Sequence, residues 1–391
     1  MKGFNIMMPK AVYSGIGAME QIKTVLDSDI KKAAIFTDKG IMGAGLLEYP
    51  LSYIKEMGVD FEILDELPPE PDCDEAQIII DQFKQTGADF IVAVGGGSVM
   101  DIAKLASILA TDDYEVRDLL ENPLLGKKGV KSLMIPTTAG TGSEATPNSI
   151  VAVPEKELKV GIVNPAMIAD AVILDAAMIA KLPKAIAAST GVDALAHAIE
   201  CFTSKKANPF SDTFALDALD LIMNNIERAC ETAGEGVESE EILKAKNAML
   251  VAAFYAGAAI TASGTTAVHA LSYPLGGKYH IPHGVANAMM LIPVMKFNEP
   301  MCRTRFAKAY DRIVKDVKEQ RSEEEKSAFM IQRMDEIVRN LEIPASLSSY
   351  GVSKDDLEIL VTSGMEVTRL LVNNLREVTP EDARALYLEI M

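Results

Sequence analysis

The first part of the chain alternates short apolar runs with stretches of helical periodicity. This alternation predicts a parallel sheet covered by helices. The predicted strands are residues 33–37, 61–64, 90–94, 132–135 and 172–174. Two further runs, 149–153 and 159–163, are separated by turn residues and predict a hairpin added to this sheet.

After residue 180 the pattern changes to helical periodicity with frequent alanine, which continues to the end. The predicted helices include residues 212–228, 241–260, 323–340, 354–371 and 380–390. We therefore expect two domains: a nucleotide-binding α/β domain over residues 1–180 and an all-α domain over 181–391. Because no Gly/Ser linker separates them, we expect them to pack firmly and to share a cleft.

Composition narrows the class of protein. The 391 residues are 49% hydrophobic, which supports large cores, and the net charge is −18. No block of Lys and Arg offsets that charge, so nucleic acid is not an expected partner. The longest apolar run, residues 249–262, is too short to span a bilayer and predicts a buried helix, so no membrane partner is expected.

The N-terminal segment 4–8 is strand-like and has no signal-peptide pattern. The four cysteines form no Cys-x-x-Cys pair, which argues against a disulfide framework and a zinc ribbon. Cytoplasm is the expected location.

Two glycine-containing turns follow predicted strands. Gly95, Gly96, Gly97 and Ser98 come directly after residues 90–94, and residues 136–144 carry three threonines after residues 132–135. Such turns let the backbone approach a diphosphate, and neighbouring parallel strands bring them to one edge of the sheet. A nucleotide site is the favoured interpretation, and a tight turn without ligand is the alternative for the glycine triplet alone.

Asp38 is the candidate residue for the nucleotide ribose. It follows strand 33–37, whereas the common Gly-x-Gly-x-x-Gly fingerprint with a later acid is not present. A carboxylate at a strand end can bind a ribose and would repel a 2′-phosphate, which favours NAD over NADP. An aspartate in a simple turn is the alternative.

Asp193 and His197 are four residues apart, so a helix places both side chains on one face. With His269 and His283 they would form a site for a divalent cation of the iron or zinc kind. Taken alone, Asp193 also fits a capping box begun by Thr190, and His197 also fits a packed core histidine.

The segment between His269 and His283 contains two prolines and two glycines. These residues predict a helix that ends near residue 273, a turn through 275–278 and a new helix after 282–284. Two separate helices would let both imidazole rings face one point.

Several motifs together resemble the iron-containing alcohol dehydrogenase family over essentially the full length. They are the stretches 95–101, 136–144 and 191–200, Ala207-Asn-Pro209 with Asp212, and Pro274-Leu-Gly-Gly with Pro282-His-Gly284. The resemblance implies a Rossmann-like N-terminal domain and a helical C-terminal domain, the architecture of dehydroquinate synthase. It also implies NAD(P), Fe²⁺ or Zn²⁺ in the cleft, and a homodimer or larger homo-oligomer.

The resemblance also implies roles for single residues. The positions that match the family's metal ligands are Asp193, His197, His269 and His283. The positions that match its cofactor contacts are Asp38, Gly96, Gly97, Ser98, Asp101, Thr137, Thr138, Thr141 and Lys159. Asp101 equally fits an acid early in a helix.

One position departs from the family pattern. Typical alcohol-oxidising members carry a further histidine four residues after the third ligand, where this chain has Tyr273. The segment 261–266 is also richer in hydroxyls than is usual. If these residues line the pocket, we expect a substrate with an additional polar or anionic group. Tyr273 and His280 are candidates for proton transfer, although a tyrosine pKa near 10 makes pocket shaping the stronger role for Tyr273.

The expected function is an NAD-dependent, metal-dependent oxidoreductase that interconverts a small primary alcohol and its aldehyde. One alternative is a reductase of a small keto or semialdehyde acid. Another is a metal- and NAD-dependent lyase of the dehydroquinate synthase type, which needs a basic phosphate pocket; near the histidines the sequence offers mainly Lys278. A non-catalytic relative would have no physical need to keep all four ligand positions.

Overall fold

The computed structural model describes residues 3–27, 29–111, 113–156, 158–231, 239–315 and 320–391. The chain forms two compact units. One comprises Met7–Leu182, and the other comprises Met1–Ile6 together with Pro183–Met391.

The unit Met7–Leu182 is built on a six-stranded parallel sheet, as predicted. The strands of the unit are β1 (Ala11–Ser14), β2 (Lys32–Phe36), β3 (Asp60–Leu64), β4 (Phe90–Gly95), β5 (Lys131–Pro136), β6 (Asn148–Val153), β7 (Leu158–Val163) and β8 (Ala171–Leu174). The sheet order is β1-β8-β5-β4-β2-β3. The segment 4–8, which is strand-like in sequence, forms no strand, and β1 begins at Ala11.

The α-helices of this unit are α1 (Ile22–Val25), α2 (Lys39–Gly43), α3 (Glu48–Glu56), α4 (Cys73–Thr86), α5 (Gly97–Ile108) and α6 (Val116–Glu121). Every residue of β4 is buried, since the strand lies between β2 and β5 and is covered by helices. This position explains why its sequence is continuously apolar instead of alternating.

The hairpin β6–β7 is antiparallel, but it does not extend the parallel sheet as predicted. It forms a separate two-stranded sheet. The main-chain N–H of Ala152 in β6 donates to the carbonyl oxygen of the loop residue Pro71. This N–H therefore does not bond to a strand of the main sheet.

The second unit is helical, as predicted. Its helices are α7 (Lys184–Thr203), α8 (Pro209–Cys230), α9 (Glu240–Ser263), α10 (Ala267–Tyr279), α11 (His283–Ile313), α12 (Glu323–Asn340), α13 (Leu357–Glu366), α14 (Thr368–Leu371) and α15 (Pro380–Leu388). One helix was predicted over 354–371, but the structure has three elements there: a 3₁₀ turn at Lys354–Asp356, then α13, then α14. Val367 separates α13 from α14.

The helix α9 contains the apolar run 249–262. Among the described residues it is the one helix that has the length and composition to cross a bilayer. However, 61% of its most apolar window is buried inside the protein, as expected for a core helix.

Two local predictions about the helical unit are wrong. The turn predicted over 275–278 is helical, because α10 continues through Pro274 and ends at Tyr279. The next residue, His280, caps the helix with a φ of 54°. Proline removes one N–H from a helix, but the turns on both sides of it continue here. Thr190 does not cap a helix, because α7 begins at Lys184 and the Thr190 hydroxyl donates to Ile186 O at 2.8 Å.

Candidate metal centre and nucleotide site

The helix α7 carries Asp193 and His197 on one buried face. Both side chains lie one helical turn apart, and the residues are only 2% and 6% exposed. His197 Nε2 lies 3.9 Å from Asp193 Oδ1. The α7 geometry therefore removes the capping interpretation of Asp193 and leaves its carboxylate facing the histidine.

His269 and His283 reach the same point from two other helices. His269 lies in the first turn of α10, and His283 is the first residue of α11. Gly284 lets α11 start close to α7, because a Cβ at this position would lie only 2.2 Å from Ser189 O. A side chain here would push α11, and with it His283, away from α7.

The four predicted ligand residues meet at one place. Their donor atoms all lie within 4.8 Å of one another. The Nε2 atoms of His269 and His283 are each 3.6 Å from Asp193 Oδ1. The rings of His197 and His269 stack with centroids 4.4 Å apart.

This donor set fits a divalent metal. Ligand atoms about 2.1 Å from a tetrahedral cation lie about 3.4 Å apart, close to the distances measured from Asp193. Three imidazoles and one carboxylate suit iron or zinc better than magnesium or calcium, which prefer oxygen. The set offers one negative charge to a divalent cation, and a cation that takes five or six ligands would also accept an oxygen from a substrate.

Glu200, one turn beyond His197 on α7, orients His269. The Nδ1 of His269 hydrogen-bonds to Glu200 Oε2. Glu200 Oε1 accepts from Thr266 N, Thr266 Oγ1 and Val268 N at 3.0, 2.7 and 2.7 Å. Because Nδ1 is held in this way, Nε2 faces the other three ligands, which is the usual arrangement behind a metal-binding histidine.

Charge interactions keep these carboxylates ionised. Burial alone would raise the pKa of Asp193, but the positive charges of His197, His283 and His269 outweigh burial and hold that pKa well below its ordinary range. Burial would also raise the pKa of Glu200, but His269 lowers it. Burial opposes the protonation of His269, whereas Glu200 and Asp193 raise its pKa to about 9. An ionised Asp193 is the form that binds a cation.

Asn287 lies against the same ligand atoms. Its Nδ2 donates to Asp193 Oδ1 at 2.7 Å and lies 3.1 Å from His269 Nε2 and 3.2 Å from His283 Nε2. The Ser272 hydroxyl donates to its Oδ1 at 2.5 Å. Asn287 follows His283 by four residues, a helical spacing that could have identified it in the sequence.

The two candidate proton-transfer residues occupy different environments. Tyr273, one turn after His269 on α10, is half-buried, and its ring centroid is 6.0 Å from that of His283. Burial raises the pKa of Tyr273, so its hydroxyl keeps its proton at neutral pH. His280 is exposed at the end of α10 and does not belong to the four-residue donor cluster.

The glycine turn after β4 has the properties of a diphosphate site. The helix α5 begins at Gly97, and no side chain caps its N-terminus. A Cβ at Gly97 would lie 2.9 Å from Thr141 Cγ2, and one at Gly96 would lie 3.8 Å from Thr138 Oγ1. Thr138 and Thr141 of the second turn therefore lie beside the glycine turn. Thr137 is buried, and its main-chain N–H donates to Gly95 O at 3.0 Å.

Asp101 and Lys104 of α5 hold this second turn in place. Asp101 accepts from the Ser143 hydroxyl at 2.5 Å and from Ile150 N at 2.9 Å, and it pairs with Lys104 Nζ at 2.9 Å. Lys104 is fully buried and also donates to Ser143 O at 3.0 Å. The carboxylate of Asp101 is thus engaged within the protein and holds the second turn, while its contact with a cofactor stays a prediction.

Asp38 lines a cavity of about 700 Å³ together with residues of the glycine turn, including Gly96, Gly97 and Ser98. Its Oδ1 also accepts from Ile41 N at 2.9 Å and so caps α2. Asp38 therefore fits both interpretations from the sequence, the turn aspartate and the candidate ribose ligand, since it caps α2 and also lines the cavity.

Lys159 of β7 lies near the same turn. The Lys159 Nζ forms an ion pair with Glu70 Oε1 at 2.7 Å. The main-chain N–H of Glu70 in turn donates to the Ser98 hydroxyl oxygen at 3.3 Å. The hairpin thus connects a lysine to the glycine turn through Glu70.

Models of known families match almost the whole chain. Residues 9–176 match the family described as iron-containing alcohol dehydrogenase, and residues 187–391 match the C-terminal model of the Fe-containing alcohol dehydrogenase family. The chain belongs to the iron-containing alcohol dehydrogenase family. Long-chain-alcohol dehydrogenase 1 of Geobacillus thermodenitrificans is 31% identical over 386 residues, which cover 98% of this chain and 95% of the relative.

Solved structures of this family confirm the fold class. A 1,3-propanediol oxidoreductase superimposes with a TM-score of 0.92 at 28% identity over 100% of both chains. A sulfoacetaldehyde reductase from Bifidobacterium kashiwanohense in complex with NAD⁺ superimposes with a TM-score of 0.86 at 25% identity, over 100% of this chain and 99% of the other.

Family membership decides the reaction class. The chain is an oxidoreductase that acts on alcohols and aldehydes, as predicted, and the lyase alternative does not hold. Glu200 and Lys104, which complete the two sites, were not predicted as functional residues. Both are charged groups on helix faces that the sequence shows to be otherwise apolar, and this is the signal that could have identified them.

Proposed function

We propose that this protein is an NAD-dependent and divalent-metal-dependent dehydrogenase that interconverts a small primary alcohol and its aldehyde. The observation that carries the proposal is the convergence of Asp193, His197, His269 and His283 within 4.8 Å. A buried carboxylate with three imidazoles, one of them oriented by Glu200, is costly for a fold to keep without a cation.

A divalent cation held by these residues, Fe²⁺ or Zn²⁺, would supply a Lewis acid for the substrate oxygen. Asp193 would provide the negative charge, and the three Nε2 atoms would provide neutral donors once the cation has displaced their protons. Asn287 donates to Asp193 and fixes the carboxylate orientation. The Tyr273 ring lies beside His283 and shapes the space for the substrate.

NAD would accept or deliver the hydride. The glycine turn and the α5 N-terminus are suited to its diphosphate, and Gly97 lets Thr141 approach closely. Asp38 at the cavity edge favours a free 2′-hydroxyl and repels a 2′-phosphate, which is the reason for NAD over NADP. The sulfoacetaldehyde reductase described with NAD⁺ is a related structure that supports this choice.

The test is oxidation of NADH with a panel of short aldehydes by protein reconstituted with Fe²⁺ or Zn²⁺ without oxygen. We expect NADH consumption that requires the metal and falls by at least about 100-fold in His197→Ala, since loss of one ligand weakens the site. Activity that is the same in the chelated protein, or none with any aldehyde and either metal, would contradict the proposal.

We further infer a cytoplasmic location and a homodimer or larger homo-oligomer. The four cysteines are free and buried, as expected in a reducing compartment. Size-exclusion chromatography with light scattering tests the assembly, and fractionation of the source cells tests the location.

A further inference from the structure

Glu70 has a main-chain conformation that is unusual for its residue type. Its φ is 52°, and among the described residues the other non-glycine residues with a positive φ are His280 and Glu342. Those two close the C-terminal ends of α10 and α12, where a left-handed residue is common, whereas Glu70 lies in the loop between β3 and α4. Glu70 also precedes Pro71, and the residue before a proline prefers an extended conformation. Contacts elsewhere must therefore hold Glu70 in this conformation.

The contacts of Glu70 connect the glycine turn with the hairpin. Its main-chain N–H donates to the Ser98 hydroxyl oxygen at 3.3 Å, and its carboxylate pairs with Lys159 Nζ of β7 at 2.7 Å. The carbonyl oxygen of the next residue, Pro71, accepts from the main-chain N–H of Ala152 in β6 at 3.1 Å. The loop is thus fixed from two sides, to the start of α5 and to the hairpin.

This position brings a negative charge close to the proposed diphosphate site. Ser98 lies in the first turn of α5, so the Glu70 carboxylate is one glutamate side chain away from that turn. Like charges at such a separation repel each other. The same carboxylate also neutralises Lys159, the predicted cofactor-contacting lysine, whose side chain is 13% exposed. A diphosphate and Glu70 therefore compete for one cation.

We propose that Glu70 lowers the affinity of the nucleotide site for dinucleotides, because its carboxylate repels the diphosphate and occupies Lys159. This inference rests on the proposed function, since it concerns the binding of NAD(H) at the site described above. A dehydrogenase has to release its cofactor in every cycle, and release is often the slow step. The strained loop at Glu70 keeps that release fast.

The test measures the dissociation constant of NADH for the metal-reconstituted protein by fluorescence titration. Glu70→Gln keeps the side-chain length and the main-chain strain but removes the charge. We expect NADH to bind about 10-fold more tightly to this variant, mainly because it dissociates more slowly. Stopped-flow displacement of NADH by excess NAD measures the dissociation rate. A dissociation constant that is equal or larger in Glu70→Gln overturns the proposal.

Glu62→Gln is the matched control. Glu62 of β3 pairs with Lys32 at 2.8 Å, so this variant also removes a carboxylate from a lysine pair. Lys32 begins β2, which runs parallel to β4, whereas the glycine turn follows the carboxyl end of β4. We expect the dissociation constant of NADH to stay unchanged in Glu62→Gln. Equal tightening in both variants would assign the effect to net charge and overturn the proposal.

Lys159→Met tests the competition for the lysine. We expect this variant to bind NADH about 10-fold more weakly, since a charged contact is lost. In this background Glu70→Gln should tighten binding less than it does in the unaltered protein, because no cation is released for the diphosphate. Equal tightening in both backgrounds overturns the competition for Lys159.

Thermal unfolding gives a second readout and verifies that the variants are folded. In Glu70→Gln the largely buried Lys159 loses its carboxylate partner. We therefore expect a lower Tm without cofactor and, at the same NADH concentration, a larger rise in Tm than in the unaltered protein. A rise that is equal or smaller contradicts the proposal.

The two proposals fail in different ways. If the unaltered protein binds NADH and oxidises it with an aldehyde, but Glu70→Gln binds NADH no more tightly, the role of Glu70 is wrong and the dehydrogenase assignment stands. If the unaltered protein neither binds NADH nor oxidises it with any aldehyde, the proposed function itself is overturned.

Discussion

Glu200 Oε2 and His269 Nδ1 form a hydrogen bond between two buried residues that lie 69 positions apart in the chain. The other carboxylate oxygen of Glu200 accepts three more hydrogen bonds from the start of α10. One buried acid on α7 thus fixes both the entry of α10 and the ring orientation of a candidate metal ligand.

We predict that Glu200→Gln lowers the affinity for Zn²⁺ by about 10-fold to 100-fold, because the neutral amide makes His269 a weaker and less oriented ligand. Competition with a chromophoric chelator measures this affinity. Glu227→Gln is the control, since Glu227 of α8 pairs with Arg333 of α12 and does not belong to the donor cluster. An unchanged affinity in Glu200→Gln would show that Glu200 has only a structural role.

Asp38 sets the predicted choice between cofactors. We expect Asp38→Ala to raise the ratio of kcat/KM for NADP to that for NAD by about 10-fold or more, since the repulsion of a 2′-phosphate is removed. The variant also loses a helix cap worth about 1 kcal/mol. Asp72→Ala controls for that loss, because Asp72 caps α4 and does not line the cavity. A cofactor ratio that moves equally in both variants would assign the effect to the lost cap.

Tyr273 is predicted to shape the pocket and not to act as a base. Burial raises the pKa of its hydroxyl, which therefore stays protonated at the pH of the reaction. We expect Tyr273→Phe to change kcat for butanal by less than about 10-fold, whereas loss of a general acid or base costs about 100-fold or more. Steady-state kinetics across pH 6 to 10 gives the answer, and loss of one limb of the pH profile would favour a proton relay.

Glu144 is the last residue of the second turn and is 2% exposed. Burial raises the pKa of its carboxyl from 4.5 to about 7, an effect that Lys104 only partly offsets. In the unfolded chain the same group ionises near its ordinary pKa. Between pH 4.5 and pH 7 the unfolded chain therefore binds fewer protons than the folded protein, and stability falls as pH rises.

We predict that Glu144→Gln removes this loss. Relative to the variant, the unaltered protein should lose up to about 3 kcal/mol of unfolding free energy as the pH is raised through this range. Urea unfolding of both proteins at several pH values measures the difference. Parallel stability curves would mean that Glu144 titrates in the same way in both states.

The sequence predicted the parts of the fold that follow from local pattern. The strand 90–94 is continuously apolar and becomes the buried centre of the sheet, and the helix predicted over 323–340 matches α12. The four ligand residues could be chosen because histidine is rare in this chain, with four in all, and because the family motifs contain them.

Features that depend on tertiary contacts could not be predicted. Pro274 predicts a helix end in the sequence, yet α10 continues through it and packs against α11 and α13. The hairpin β6–β7 pairs with a loop residue, which no local pattern identifies.

The central claim is that Asp193, His197, His269 and His283 hold one divalent metal ion. Metal analysis by mass spectrometry, on protein purified without oxygen and then exposed to Fe²⁺ or Zn²⁺ and desalted, tests it directly. We predict about one metal ion per chain in the unaltered protein and a large loss in Asp193→Asn and His269→Ala, with His280→Ala retaining the metal as a control outside the donor cluster. Equal metal content in all four proteins, or none in the unaltered protein with either metal, would contradict the account.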